Sequence, residues 1–189
     1  QHIDPIPQRL IEAGSARGYR YVTTKDELSA VNSGKVLGLF STKSHLDYEL
    51  DRGAKGAAST QPSLSEMTAK AIDLLSQNSQ GYFLMVEGGR IDHALHATNA
   101  KRSLTDAVAL DEAVKTALGK VDLSDTLIVV TADHDHTMPI NGYSAKGNKV
   151  LDLVKNADGS TQNDADGKPF TTLVFGNGPN RHCLLYTSP

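Results

Sequence analysis

Tryptophan is absent from this 189-residue sequence, and phenylalanine and tyrosine together with it reach only 5% of the chain. A protein-recognition surface built on large aromatic anchors is therefore a poor fit. The single cysteine, Cys183, excludes an internal disulfide and a cysteine-based zinc cluster. A strong excess of either charge is also missing. The formal net charge is −3, and no cluster of five or more basic residues occurs, so neither nucleic acid nor an anionic membrane surface is indicated as a partner. No apolar run approaches the length of a membrane span, and no stretch has the pattern of a secretory leader.

What is present describes an ordinary globular protein. Hydrophobic residues make up 39% and charged residues 22%, in a chain long enough to bury a core. "PQRLIEAGSARGY" (7–19) has the spacing of a short helix with an early proline, and "YRYVTT" and "VLGLFS" (36–41) read as brief strands. Residues 42–62 read as a surface connection. At Ser63 the pattern sharpens. Ser63 followed by Glu66 is a capping box, and Leu64, Met67, Ala71, Leu74 and Leu75 recur at helical spacing, which predicts a helix over about 64–77.

"YFLMV" (82–86) and the apolar run from 126 to 132 read as strands buried on both faces. Between them a helix is expected from about 97 to 118, with Ala100, Leu104, Val108, Asp111, Val114 and Leu118 in register. Residues 137–169 read as loop, and "FTTLVFG" (170–176) as a last strand. Strands alternating with helices predict an α/β layered domain, with helices flanking a largely parallel central sheet.

Both presumed central strands end in ligand-type residues. "EGGRIDHALH" supplies Glu87, Asp92, His93 and His96, and "TADHDH" supplies Asp133, His134, Asp135 and His136. In open α/β sheets, sites form beyond the carboxyl ends of strands. Asp92 and His96 are four apart, so one helical turn puts carboxylate and imidazole on the same face. Carboxylate and histidine sets without cysteine suit catalytic zinc, and a lone carboxylate such as Glu87 suits a harder ion such as magnesium. Taken singly, each pair has a bland reading: an exposed Asp-x-x-x-His pair is common, and Asp-His after a strand is often a turn or a helix cap. Two such sets, each directly after an apolar run, are a stronger signal than either alone.

"YFLMVEGGRIDHALH" and "TLIVVTADHDH" closely resemble the two metal motifs in the C-terminal half of the alkaline phosphatases. The resemblance extends to "PSLSEMTAKAIDLL" before them and to "GYSAKGN" and "FTTLVFGNGP" after them, about residues 8–179 in all. It implies two zinc ions and one magnesium ion. Glu87 would bind magnesium, Asp92 and His96 the first zinc, and Asp133 and His134 the second. His93 would lie near the bound phosphate or its waters, and His136 would support a ligand from behind. It further implies hydrolysis of phosphate monoesters through a phosphoserine intermediate, in a periplasmic or extracellular homodimer.

The sequence departs from that pattern in ways that bear on activity. No Asp-Ser dipeptide occurs, so the nucleophilic serine of the family's Asp-Ser-Ala motif has no counterpart. An earlier aspartate bridging zinc and magnesium, a further pair of magnesium ligands and the phosphate-clamping arginine also lack counterparts. His182 does not stand in the motif of the last zinc-binding histidine. Residues 1–180 are thus expected to form a partial domain carrying half of one active site. The tail "RHCLLYTSP" (181–189) is expected to be non-native sequence. A related metal-dependent phosphodiesterase or sulfatase, or a metal-binding fragment without catalysis, are the alternatives.

Overall fold

A computed structural model describes residues 5–176 of the chain, in two compact units. The first comprises residues up to Gly88 together with Ala107–Ile128, and the second comprises Gly89–Asp106 and the chain from Val129 onward. The expected foreign tail, with Cys183 and His182, lies outside the described residues, as does most of "GNGP".

In the first unit, α1 (Pro5–Ala16) leads into β1 (Tyr19–Val22), which pairs in parallel with β2 (Lys35–Gly38) in the register Tyr19 to Lys35 through Val22 to Gly38. A parallel pair cannot be closed by a tight turn and needs a crossover. Residues 23–34 supply it, built around the short helix α2 (Lys25–Ser29). Thr24 caps that helix: its hydroxyl accepts from the Glu27 N–H, and the Glu27 carboxylate reaches back to the Thr23 and Thr24 N–H groups at 2.6 and 3.2 Å. Helix α3 (Glu49–Lys55) and a 3-10 turn at Gly56–Ala58 give residues 42–62 more order than the expected connection.

Helix α4 (Leu64–Leu75) starts at the predicted capping box. The Ser63 N–H donates to Glu66 at 2.6 Å, and the Ser63 hydroxyl accepts from the Glu66 N–H at 3.1 Å. Met67 and Leu74 from this helix pack on the buried cluster of Val22, Leu28 and Val31, with Val36 and Phe40. Lys70 Nζ donates to the carbonyls of Ser29 and Val31, both at 2.9 Å, which ties α4 to the end of the crossover.

The second unit holds α5 (Arg90–His96) and the first residues of α6 (Ala100–Leu118). Thr98 separates the helices with a positive φ of 54°, a conformation that β-branched residues rarely adopt. Asn99 then caps α6, its Oδ1 accepting from the Arg102 N–H at 3.1 Å. Residues 137–176 fold back on themselves through antiparallel bridges, Ile140 with Leu173 and Leu153 with Thr171 among them. Gly142, at φ 67°, has no room for a side chain: a Cβ there would sit 2.8 Å from the Phe170 ring. Ala100, Leu173 and Phe175 form this unit's core, against Leu95, Leu104, Met138 and Leu151.

The α/β class holds, with a small parallel sheet and helices beside it, but several expected elements differ. Residues 82–86 and 126–132 carry no regular secondary structure and join no sheet among the described residues. Phe83, Met85, Leu127 and Val129 are largely exposed, at 88, 75, 86 and 73%. Apolar sequence selects an extended backbone, but a strand exists only where a neighbour supplies its hydrogen bonds. Residues 170–176 form isolated bridges in place of a strand, and 137–169, expected as loop, carry bridges of their own. In α6 the buried positions are Ala100, Ser103, Asp106 and Ala113, while Val108, Asp111 and Leu118 are exposed. Ala100 and Leu104 of the apolar stripe read from the sequence reach the core, while further along the helix small and polar residues take the buried positions. No helix among the described residues is long and apolar enough to cross a membrane.

Candidate metal centre

Helix α5 starts directly after Gly88 and Gly89, and its first turn carries Asp92. Four residues on, His96 Nε2 lies 3.5 Å from Asp92 Oδ1, so the pair shares a helix face as the spacing predicts. The other contributors come from the end of the 126–136 run. His136 Nε2 donates to the same Asp92 Oδ1 at 2.7 Å, and His134 Nε2 stands 3.5 Å from it. One carboxylate oxygen is therefore approached by three imidazoles.

The rings pack on one another. His96 and His136 meet edge to face with centroids 4.8 Å apart, and His134 lies tilted against His136 at 5.2 Å. His136 is the most enclosed of the three, with 17% of its side chain exposed against 50% for His134 and 70% for His96. Asp92, His96 and His136 each offer one ligand atom, all within 4.8 Å of one another. An aspartate oxygen and two imidazole nitrogens are the donor set that zinc takes in catalytic sites, so the residues fit a divalent ion of that kind.

The local electrostatics follow from these contacts. The hydrogen bond from His136 holds the Asp92 carboxyl below the usual aspartate range, helped by the charges of His96, His136 and His134 and opposed by partial desolvation. His134 is shifted upward, chiefly because its Nδ1 donates to the Asp135 carbonyl at 3.0 Å, and next because of the Asp133 carboxylate.

The other expected site residues are placed differently. The Asp133 side chain is 91% exposed, 3.6 Å from His134 Nε2. His93 faces Arg90, whose Nη1 donates to His93 Nδ1 at 3.1 Å. Glu87 is exposed and belongs to the first unit. The contact least visible in the sequence is that of His136 with Asp92. Its one sequence signal is the alternation in "DHDH", which points the second histidine of an extended segment to the same side as the first.

A carboxylate on the first turn of a helix, met by imidazoles from the segment after an apolar run in an α/β chain, is a candidate site for a divalent metal. The family follows from the whole sequence: the chain belongs to the alkaline phosphatases, whose family model matches residues 7–186. It is 47% identical to the tissue-nonspecific alkaline phosphatase of Gallus gallus over 163 residues, covering 85% of this chain and 30% of the relative. Against an alkaline phosphatase of Gadus morhua it is 40% identical over 177 residues, 92% of this chain and 35% of the relative. Among solved structures, the cold-active enzyme of Shewanella sp. superposes with a TM-score of 0.63 at 33% identity, over 76% of this chain and 34% of that one. The Thermus thermophilus enzyme gives 0.54 at 39% identity, over 58% and 23%. The chain spans between about a quarter and a third of the length of these relatives.

Proposed function

We propose that this chain is the metal-binding half of a zinc- and magnesium-dependent alkaline phosphatase. In the full-length parent it would take part in hydrolysis of phosphate monoesters through a phosphoserine. The observation that carries this reading is the convergence of His96, His134 and His136 on Asp92 in a chain of this family.

In the parent, Asp92 and His96 would hold the first zinc, Asp133 and His134 the second, and Glu87 the magnesium. When bound, the ions neutralise phosphoryl charge and lower the pKa of a hydroxyl nucleophile. The chain's own groups place that charge. Asp92, like any aspartate, is ionised at neutral pH, and the hydrogen bond from His136 favours that form further, so a negative oxygen faces the imidazoles. His136 fixes the orientation of that carboxylate, and Arg90 fixes the ring of His93 beside it. A homodimeric, periplasmic or extracellular parent is part of the same proposal.

The 189-residue chain offers no serine in the nucleophile's context, so by itself it should not turn over p-nitrophenyl phosphate with zinc and magnesium supplied. The parent should do so, and Asp92→Ala should abolish its turnover. Robust hydrolysis by the short chain that disappears in Asp133→Ala would overturn the half-site reading. Turnover of a diester or a sulfate ester by the parent, in place of a monoester, would move it to a related hydrolase class.

A further inference from the structure

Packing requires a glycine at position 142: with φ at 67°, a Cβ there would stand 2.8 Å from the Phe170 ring and 3.0 Å from Val154 Cγ1. The residue before it is Asn141, which makes this the one Asn-Gly pair among the described residues. In such a pair the next amide nitrogen can reach the asparagine side-chain carbonyl carbon, and glycine has no Cβ to hinder the approach. We propose that Asn141 and Gly142 form a self-modification site. There the Gly142 amide nitrogen displaces ammonia from the Asn141 side chain, and water converts the product to isoaspartate or aspartate.

The hydrogen bonding singles this pair out. The Asn141 N–H donates to the Thr172 carbonyl at 2.7 Å, which anchors the residue on one side. The peptide group that follows is free. Neither the Asn141 carbonyl, nor the Gly142 N–H, nor the Asn141 side-chain amide makes a hydrogen bond among the described residues. A coupled change in ψ of Asn141 and φ of Gly142 turns that group toward the side chain while the flanking chain stays in place, and glycine accepts the φ required. Gly142 is also exposed, so water and hydroxide reach it. Elsewhere the corresponding groups are held: the Gly159 and Gly167 N–H groups donate to the Asn156 and Asp164 carbonyls, both at 3.0 Å. The Asn148 and Asn156 side-chain amides donate to the Leu153 carbonyl at 3.2 Å and to Ser160 Oγ at 3.0 Å.

The reaction consumes one water and releases one ammonia. The Gly142 nitrogen gives its proton to hydroxide, bonds to Asn141 Cγ and expels the side-chain nitrogen as ammonia, leaving a succinimide ring. Water opens the ring at either carbonyl. Opening at Cγ gives aspartate with the original main chain. Opening at the main-chain carbonyl gives isoaspartate, whose main chain is longer by a methylene. Ile140, directly before the pair, bridges to Leu173, which packs with Ala100 and Phe175 in the core of the second unit. The longer chain of isoaspartate therefore presses Gly142 against Phe170 and loosens that core, whereas aspartate leaves the chain length unchanged.

Trypsin isolates the site, because peptide 121–146 contains Asn141 as its single amide side chain. Incubated folded at neutral and at mildly alkaline pH, the chain should gain in that peptide the mass change of amide to acid, faster at the higher pH. The product should include isoaspartate, which an isoaspartate-specific methyltransferase labels. Breaking two hydrogen bonds of ordinary net strength would slow the reaction about 30-fold, so the folded chain should lag a synthetic peptide of residues 138–144 by less than that. Peptide 91–101, with buried Asn99 before Ala100, should stay unchanged over the same time. Asn141→Gln, which would have to close a larger ring, should age without the gain. The aged chain, separated by its added negative charge, should show a lower urea midpoint than Asn141→Asp.

A folded chain that stays unmodified, or lags the synthetic peptide by more than about 30-fold, would overturn the proposal. So would an acid product free of isoaspartate, which means direct hydrolysis, or an equal gain in Asn141→Gln. If Asn141→Gln does not fold, the rate and product of the unmodified chain decide. Equal urea midpoints for the aged chain and Asn141→Asp would overturn the effect on the core. None of these readouts involves metal or phosphatase turnover, so this inference and the functional proposal fail separately.

Discussion

His136 donates from Nε2 to Asp92 Oδ1 at 2.7 Å across 44 positions of sequence, joining α5 to the segment that follows the 126–132 run. Asp92 is 37% exposed, so solvent screens the pair and it adds little to the stability of the metal-free chain. Its consequence lies in what the oxygen can bind.

Asp92→Asn should therefore leave the metal-free melting temperature nearly unchanged and remove its response to zinc. An ion that binds only the folded state, at 100 times its dissociation constant, adds about 2.7 kcal/mol to stability. The unmodified chain should then melt several degrees higher with zinc than with a chelator, and the variant at the same temperature in both. An equal zinc shift in the variant would remove Asp92 from the site.

Ser63 and Glu66 satisfy each other's backbone donors at the start of α4, the helix that supplies Met67 and Leu74 to the first unit's core. Ser63→Ala leaves the Glu66 N–H without its hydroxyl acceptor and should cost about 1 kcal/mol. Urea denaturation would show this as a lower midpoint with an unchanged slope. No change in midpoint would mean the cap contributes nothing.

Glu27 provides a pH dependence with a defined sign. Hydrogen bonds from the Thr23 N–H, first, and then from the Thr23 hydroxyl and the Thr24 N–H hold its carboxyl below the ordinary value of 4.5. A depressed folded-state value means stabilisation that is present above the unfolded value and lost as pH falls through the folded one. Glu27→Gln should accordingly be less stable than the unmodified chain at pH 7, and the gap should close in acid. Denaturant midpoints at both pH values measure it, and a gap that persists in acid would contradict the assignment.

The apolar runs that join no sheet make a prediction of the opposite kind. Phe83 and Leu127 are 88 and 86% exposed, so Phe83→Lys and Leu127→Lys should change folding stability by no more than about 0.5 kcal/mol. They should also reduce binding of a hydrophobic dye and self-association at high concentration, because each breaks an uncharged, β-prone run. A loss of 2 kcal/mol or more would show these side chains to be buried.

Much of the fold could be read from local pattern. The α4 capping box and the Asp92–His96 face depend on residues three and four apart, and backbone geometry alone brings such residues together. The strand expectation for 82–86 and 126–132 did not hold, because a strand depends on hydrogen bonds from a neighbour that apolar sequence cannot supply. The face of α6 was misplaced for a related reason. Ala100 and Leu104 of the expected face do reach the core, but small or polar residues such as Ser103 and Ala113 carry a weak hydrophobic signal and permit close approach, so packing buried them in preference to Val108 and Leu118.

The sequence by itself determined the family, the residue types of the metal site and the absence of a serine in the nucleophile's context. All three are properties of contiguous motifs. Only the tertiary structure decided which of those groups meet. It put His136 against Asp92, left Asp133 exposed beside His134, and gathered three donor atoms within 4.8 Å. Ligand chemistry is fixed by side-chain identity, but convergence on one oxygen depends on how the chain returns to α5 after residue 128. Along that return Leu173 and Phe175 pack on Ala100, a contact between residues more than 70 positions apart.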